Sequence, residues 1–236
     1  MIEIIAAFAR WTQLVANLII FGSCIFLAIA GQQKAVFESS WATRLERGLP
    51  WLGGIILIGL LGVLATTTGE ATGIAANTWR PDAWLEVVQQ TRMGQMWATR
   101  ALFALVLLGI ILYIRQVYRV RWHYILCAVA ASLPLIAGSM VSHSAAEEVP
   151  LVPVFTYALH ILLAGIWFGA LPAFLLIIFS KEDPGKPLDL LSAESLKKFS
   201  AVALPTMVVI MGTGLIVADR MVGKDYHALV ASAYGW

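Results

Sequence analysis

Residues 154–179 read VFTYALHILLAGIWFGALPAFLLIIF, a run of 26 residues that contains no Asp, Glu, Lys or Arg. A helix needs about 20 apolar residues to cross the hydrocarbon core of a bilayer. This stretch therefore predicts a transmembrane helix that is long enough to tilt, or to bend at Pro172. It also contains His160, a polar side chain that is costly in lipid and is for that reason a candidate functional residue.

Further apolar runs lie on both sides of this one. Composition agrees with them: 60% of the 236 residues are hydrophobic and 13% are charged, against roughly 45–50% and 25% in a soluble domain. The sequence predicts an all-α fold, a polytopic transmembrane helix bundle with six spans, and it excludes a soluble globular enzyme. The other five predicted spans are Trp11–Ala30, Pro50–Thr68, Met96–Tyr113, Tyr124–Val141 and Ala201–Ala218.

Lysine and arginine are distributed unequally between the two sides that six spans create. Ten of the sixteen lie in the connections after spans one, three and five, whereas the connection after span four has none. Cytoplasmic loops carry the excess of basic residues in membrane proteins. The pattern predicts a multi-pass protein of the bacterial inner (cell) membrane with its N-terminus in the periplasm. Because the net charge is only +2, the bilayer is the expected partner and nucleic acid is not.

The end of the chain, residues 228–236, has the composition of the approach to another span. It is loosely similar to the segment Val88–Gly94, which precedes span three. We therefore expect a single integral-membrane domain over residues 1–236 that ends before a final helix pair.

The hairpin of spans four and five carries the strongest candidate metal site. Met140 and His143 share a face if span four remains helical to its end, and His160 lies about two turns down span five. Helices joined by a short hairpin are antiparallel neighbours, so two imidazoles and a thioether are expected to converge near the outer face. Imidazole and soft sulfur ligands suit copper, whereas oxygen ligands suit magnesium or calcium. The alternative is that His160 hydrogen-bonds a neighbouring helix and His143 is a solvated loop residue.

Two pairs of sulfur residues lie inside other predicted spans. Met207 and Met211 are one turn apart on span six, where they predict a thioether relay for Cu(I) or simple packing residues. Cys24 and Cys127 both fall in the cytoplasmic third, where they predict an inner exit site for Cu(I) or small buried hydrophobes. Arg100, near an outer helix end, is expected to extend toward the lipid headgroups.

Four segments, in order along nearly the whole chain, resemble the copper resistance D (CopD/PcoD) family of bacterial inner-membrane proteins. Their family patterns are T-x-x-G-x-x-W-x-x-R, (S/G)-H-A, L-H-L-x-x-x-x-W-x-G-G-L and R-F-S-x-x-A-L…T-G. Ser144 and Ala170 depart from these patterns, but neither position is a candidate ligand. The first three matching segments are Thr91–Arg100 (TRMGQMWATR), Ser142–Ala145 (SHSA) and Leu159–Leu171 (LHILLAGIWFGAL). The fourth is Lys198–Leu204 (KFSAVAL) together with Thr213-Gly214 beyond it.

The resemblance implies copper uptake or copper resistance at the inner membrane. It maps the family's two histidines onto His143 and His160, and it implies about eight spans in family members. The expected substrate is copper, as Cu(I), captured by a site of His143, His160 and Met140 and passed along Met207 and Met211. A periplasmic copper-binding protein is the expected partner.

Two rival functions remain open. The first is a b-type haem protein in electron transfer, with the two histidines as axial ligands. The second is a metal-free assembly subunit. No enzyme activity is expected, because the sequence has no G-x-S-x-G, no P-loop and no H-E-x-x-H.

Overall fold

The computed structural model describes the backbone of residues 2–140, 151–179 and 187–222, and the side chains of residues 4–140, 151–179 and 192–219. Over these ranges the chain is helical and contains no strand. Two 3-10 helices, Lys34–Glu38 and Ala75–Trp79, lie in connections. The α-helices are α1 (Ile2–Ala30), α2 (Ser40–Thr72), α3 (Pro81–Gln90), α4 (Arg92–Ile114), α5 (Arg121–Ser139), α6 (Leu151–Gly169), α7 (Leu171–Phe179) and α8 (Pro187–Val222).

Six segments within these helices are long and apolar enough to cross a bilayer, which confirms the predicted all-α bundle and its six spans. Each contains the apolar core of one predicted run but extends beyond it, because a helix continues past the hydrocarbon region wherever its backbone remains hydrogen-bonded. The protein is therefore a multi-pass membrane protein. The segments are Ile4–Ala30, Ser40–Thr72, Arg92–Ile114, Arg121–Ser139, Leu151–Phe179 and Ser192–Asp219.

Side chains and special residues set several helix ends. The Ser39 hydroxyl accepts a hydrogen bond from the Ala42 amide at the start of α2, and that helix ends at Gly73, whose φ of 67° is left-handed. The Thr91 hydroxyl accepts from the Gly94 amide at 2.9 Å and begins α4. These caps satisfy backbone groups that helix ends leave without partners.

The fifth span bends, as the sequence predicts, and the break lies just before Pro172. Helix α6 ends at Gly169, α7 begins at Leu171, and the Phe174 amide donates to the Ala170 carbonyl at 3.1 Å to restart the ladder. Proline lacks an amide proton and restricts the backbone of the residue before it. The break therefore precedes the proline, with Ala170 as the hinge.

Helix α1 lies at the centre of the bundle. In its most apolar stretch, 67% is buried against other helices, whereas only 6% of the most apolar stretch of the sixth span is buried. At the crossing of α1 and α6, a Cβ on Gly22 would lie 2.3 Å from the Gly165 carbonyl oxygen. The Ser23 hydroxyl donates to the Gly169 carbonyl at 3.0 Å. Small residues thus let the two backbones come into direct contact.

The basic end of the bundle is defined here by Lys34, Arg44 and Arg47, by Arg115, Arg119 and Arg121, and by Lys197 and Lys198. Hydrogen bonds join the connections at this end. Arg119 donates to the Phe37 carbonyl at 2.7 Å, Arg121 donates to the Ala28 carbonyl at 2.8 Å, and Gln33 donates to Glu194 at 2.7 Å. The opposite end carries the last residue of α5 and the first residues of α6.

Candidate metal centre

His160 lies in the middle of α6, partly buried against α8. Its Nδ1 is 3.0 Å from the hydroxyl oxygen of Thr213, a residue that is 7% exposed. The Thr213 hydroxyl also lies 2.8 Å from the Val209 carbonyl and 3.1 Å from the Ile210 carbonyl. When its single proton is donated to one of these carbonyls, the hydroxyl oxygen accepts a hydrogen bond from Nδ1–H of His160, which is the tautomer with the proton on Nδ1.

This hydrogen bond determines which ring nitrogen can bind a metal. With the proton on Nδ1, the neutral imidazole presents an unprotonated Nε2. Metal-binding histidines commonly donate their other ring proton to a carbonyl, carboxylate or water, which orients the ring and makes the ligand more basic. In this tautomer the Thr213 hydroxyl takes that role, and Nε2 is the ring nitrogen of His160 that can bind a metal.

Gly214, next along α8, makes the close approach of the ring possible. A Cβ at this position would lie 3.3 Å from Cε1 of His160, which is tighter than an ordinary contact. Sequence reasoning did not connect Thr213 and Gly214 with His160. The signal available was a polar residue beside a glycine in the middle of an apolar span, a pattern typical of close helix pairs in membranes.

Met207 and Met211 lie on the surface of α8, with exposed fractions of 45% and 63%. They are not packed in the core of the described chain. On a helix, Met211 is one turn before Gly214 and Met207 is one turn before Met211, so the two thioethers form a row leading toward the residue that contacts His160. Their predicted role as a relay stays a prediction.

Met140 follows the last residue of α5 and is about half exposed at the opposite end. His143 lies outside the described residues, so the convergence of His143, Met140 and His160 stays a prediction. Within the ranges whose side chains the structure describes, no three His, Cys, Asp or Glu side chains are grouped closely enough to hold a metal ion. Any metal bound by His160 there needs ligands of another type or from another segment.

A cavity of about 190 Å³, lined by both polar and apolar side chains, lies between α1, α2, α4, α5 and α6. Arg100 faces this cavity, and its Nε is buried with no hydrogen-bond partner among the described groups. The expectation that Arg100 extends to the headgroups is therefore wrong, because the helix directs it into the bundle. Arg10 also lines the cavity. Arg10 pairs with Glu70 at 3.7 Å. The guanidinium of Arg100 repels a cation, so this cavity is an unfavourable passage for copper.

A second polar cluster lies near the basic end. Cys24 of α1 and Cys127 of α5 are 0% and 1% exposed, are not joined by a disulfide, and lie close enough for Cys127 to act electrostatically on the Cys24 thiol. Close by, the Tyr124 hydroxyl donates to the buried carboxylate of Glu46, which also pairs with Arg119 at 2.9 Å.

Sequence reasoning did not identify Glu46 as part of a site, because it precedes the apolar run of its span. The apolar residues around Glu46 at helical spacing could have indicated that this side chain is buried. Ala42, Leu45 and Leu49 are all buried, and a charge among apolar residues at spacings of three and four faces a core.

Comparison with known proteins gives the family. A family model described as "Copper resistance protein D-like, N-terminal domain" matches residues 1–152. The chain is 29% identical over 190 residues to the "Copper transport protein CutJ" of Bacillus subtilis (strain 168), a match that covers 78% of this chain and 34% of that protein. The chain thus spans about a third of the length of this relative. No solved structure matches it.

The family model covers well over half of the chain, including α1 to α5 and the cluster of Cys24, Cys127 and Glu46. The family that the four sequence segments resemble is the family that this comparison returns. The chain belongs to the copper resistance protein D-like family.

Proposed function

We propose that this protein moves copper across the bacterial inner membrane from the periplasmic side, and that it contributes in this way to copper homeostasis or resistance. Family membership and the name of the Bacillus subtilis relative support a role in copper handling. The observation that carries the proposal further is the hydrogen bond from His160 to Thr213, which leaves Nε2 free as a ligand inside a membrane span.

The capture site consists of His143, His160 and Met140 on the periplasmic side. Copper then passes along Met207 and Met211. These ligands are imidazoles and thioethers, which favour copper and above all Cu(I) over harder ions. A bare cation pays heavily to enter a bilayer, so ligands along the route lower its barrier.

The assignment of sides follows the charge distribution. The basic end faces the cytoplasm, and the opposite end, where α5 ends and α6 begins, faces the periplasm together with the N-terminus. A periplasmic copper-binding protein is the partner that delivers the metal. The role is transport and not catalysis.

The test is metal content and an absorbance spectrum of the purified full chain, followed by Cu(I) titration against a competing chelator. We expect copper and no Soret band. His143→Ala and His160→Ala should each abolish periplasmic-side binding and copper accumulation by cells. His123→Ala, which removes an imidazole near the basic end, is the matched control and should leave both unchanged.

The rival functions give different results in the same experiment. A Soret band that His160→Ala removes would replace the proposal with haem-based electron transfer. A chain that binds no metal would be a scaffold or assembly subunit. Either result contradicts copper transport by this site.

A further inference from the structure

Cys24 and Cys127 come together from two antiparallel helices at matching depth. Cys24 is six residues before the end of α1 at Ala30, and Cys127 is six residues after the start of α5 at Arg121. At about 1.5 Å per residue, both lie about 9 Å inside the basic end. The bond from Arg121 to the Ala28 carbonyl at 2.8 Å joins the two helix ends. Both thiols are therefore buried at the same level of the two neighbouring helices.

We propose that Cys24 and Cys127 form a second copper site, which binds one Cu(I) through both sulfurs on the cytoplasmic side. The choice of metal rests on the proposed function, whereas the geometry of the pair does not. Soft thiolates select Cu(I) among the common metals. Two sulfurs are enough for a linear Cu(I) centre, whereas structural zinc requires four ligands.

A small cavity lies between Cys127 and the surface of the basic end. Its volume is about 10 Å³, and it is lined by Cys127, Tyr124, Glu46 and Arg115, among others. Such a volume is close to what one water molecule requires. Cys127 is fully buried whereas Arg115 is exposed, so the lining marks a short path from Cys127 to solvent.

The charges beside this path favour an anionic copper complex. Binding breaks two S–H bonds, forms two Cu–S bonds and releases two protons without electron transfer, so the complex carries one negative charge. Arg119 pairs with Glu46, and Arg115 also acts on this carboxylate. Together, the two arginines and the carboxylate have a net charge of one positive unit, and the negative charge of the copper complex balances it. Buried charge is tolerated only where it is paired in this manner.

The Cys24–Cys127 site complements the His160 site by position and by chemistry. His160 binds near the middle of α6 with an imidazole, whereas the thiols near the basic end bind Cu(I) more tightly once they lose their protons. A metal that enters from the periplasmic side thus finds stronger soft ligands close to the cytoplasm. Arg115 and Glu46 lie between those ligands and the surface.

The test uses the full chain in detergent, without oxygen, and titrates Cu(I) against a competing chelator. In the His160→Ala background we expect one Cu(I) to remain, with a sulfur-only shell by X-ray absorption and two protons released per metal. Adding Cys24→Ser and Cys127→Ser should remove that Cu(I) and the proton release. Ala128→Ser, which adds a hydroxyl to the same buried layer, is the matched control and should keep both.

Proton release separates thiolates from methionines, because thioethers bind Cu(I) without losing a proton. It can be measured on the chain with both cysteines intact, so the test does not depend on a variant that folds. Release of no protons, or an equal Cu(I) stoichiometry with and without the two cysteines, overturns the inner site. Copper accumulation that still depends on His160 would then leave the proposed function standing. Conversely, if binding of one Cu(I) is lost without the cysteines, and copper accumulation by cells does not change in His160→Ala, the inner site is supported and the proposed capture step is contradicted.

Discussion

The pair of His160 and Thr213 places one defined ring nitrogen in a membrane span. The threonine hydroxyl is in reach of the Val209 and Ile210 carbonyls and lies 3.0 Å from Nδ1 of His160, so this one side chain favours the tautomer with the proton on Nδ1. A histidine without such a partner divides its proton between two nitrogens and rotates more freely. The strength of copper binding should therefore depend on a residue that never touches the metal.

Replacing Thr213 with valine tests this dependence. Thr213→Val keeps the branched shape but removes the acceptor for Nδ1–H, and loss of such a partner typically weakens metal affinity about 10- to 100-fold. Thr213→Ser keeps the hydroxyl and should restore near-parental affinity. Cu(I) competition titration measures both variants.

The control for the Thr213 variants is Thr206→Val. Thr206 also bonds back to its own helix, at 2.7 Å to the Ala203 carbonyl, and it should not affect Cu(I) affinity. If Thr213→Val binds Cu(I) as tightly as the parent chain, the hydrogen bond does not position His160 for metal binding.

Met207 and Met211 provide the second prediction at the residue scale. Replacing both with leucine keeps apolar volume and removes the sulfurs, so folding should survive. We expect capture by the His160 site to be retained and copper accumulation by cells to fall, because the route loses its soft donors. Accumulation equal to that of the parent would show that these methionines do not carry copper.

At the scale of helices, the contact between α1 and α6 depends on glycines that face each other. Gly22 lies against Gly165 and Gly169, and Cβ atoms at Gly22 or Gly169 would overlap backbone atoms of the other helix. Because α6 also carries His160, the position of the proposed ligand depends on how closely these two helices pack. The break before Pro172 allows α6 and α7 to follow different directions beyond this contact.

Gly22→Ala should destabilise the bundle, since the added methyl would lie 2.3 Å from the Gly165 carbonyl oxygen. Such overpacking costs about 1–3 kcal/mol. Gly109→Ala on α4 is the matched control, because nothing lies within 4 Å of its Cβ position and alanine favours a helix by about 0.5–1 kcal/mol. Thermal unfolding in detergent compares them, and equal stability of the two variants would contradict the close contact.

At the scale of the whole molecule, three polar regions lie around the central helix α1. The first is the cavity that contains Arg100, whose guanidinium repels cations, and Arg10, which pairs with Glu70. The second is His160, which lies against Thr213 of α8, and the third is the thiol pair near the basic end. The proposed entry for copper therefore lies at α6 and α8, and the proposed exit lies at α1 and α5.

Membrane orientation is the prediction that belongs to this scale. Reporter fusions at Lys186 and near Glu148 should report the cytoplasm and the periplasm, respectively, because ten of the sixteen basic residues belong to the side of Lys186. The opposite result would exchange the proposed entry and exit.

The class of fold follows from the residues alone. Length and hydropathy of a run decide whether a helix crosses a membrane, and both are local properties, so all six spans were predicted from residues alone. The bend in residues 154–179 was also predictable, because proline acts on its own backbone. His160 was identified for a similar reason: an imidazole in a 26-residue apolar run is costly wherever the helix packs.

Which side chains meet depends on how the helices pack. Helices that are apolar on all sides contain little periodic signal for how they rotate about their axes, so the sequence did not place Thr213 beside His160 or turn Arg100 into a cavity. For Cys24 and Cys127, which lie about a hundred residues apart in the chain, it predicted the same third of the membrane but not the burial of both between α1 and α5. Such contacts follow from close packing at positions like Gly22 and Gly214, where the missing side chain sets how near two helices come.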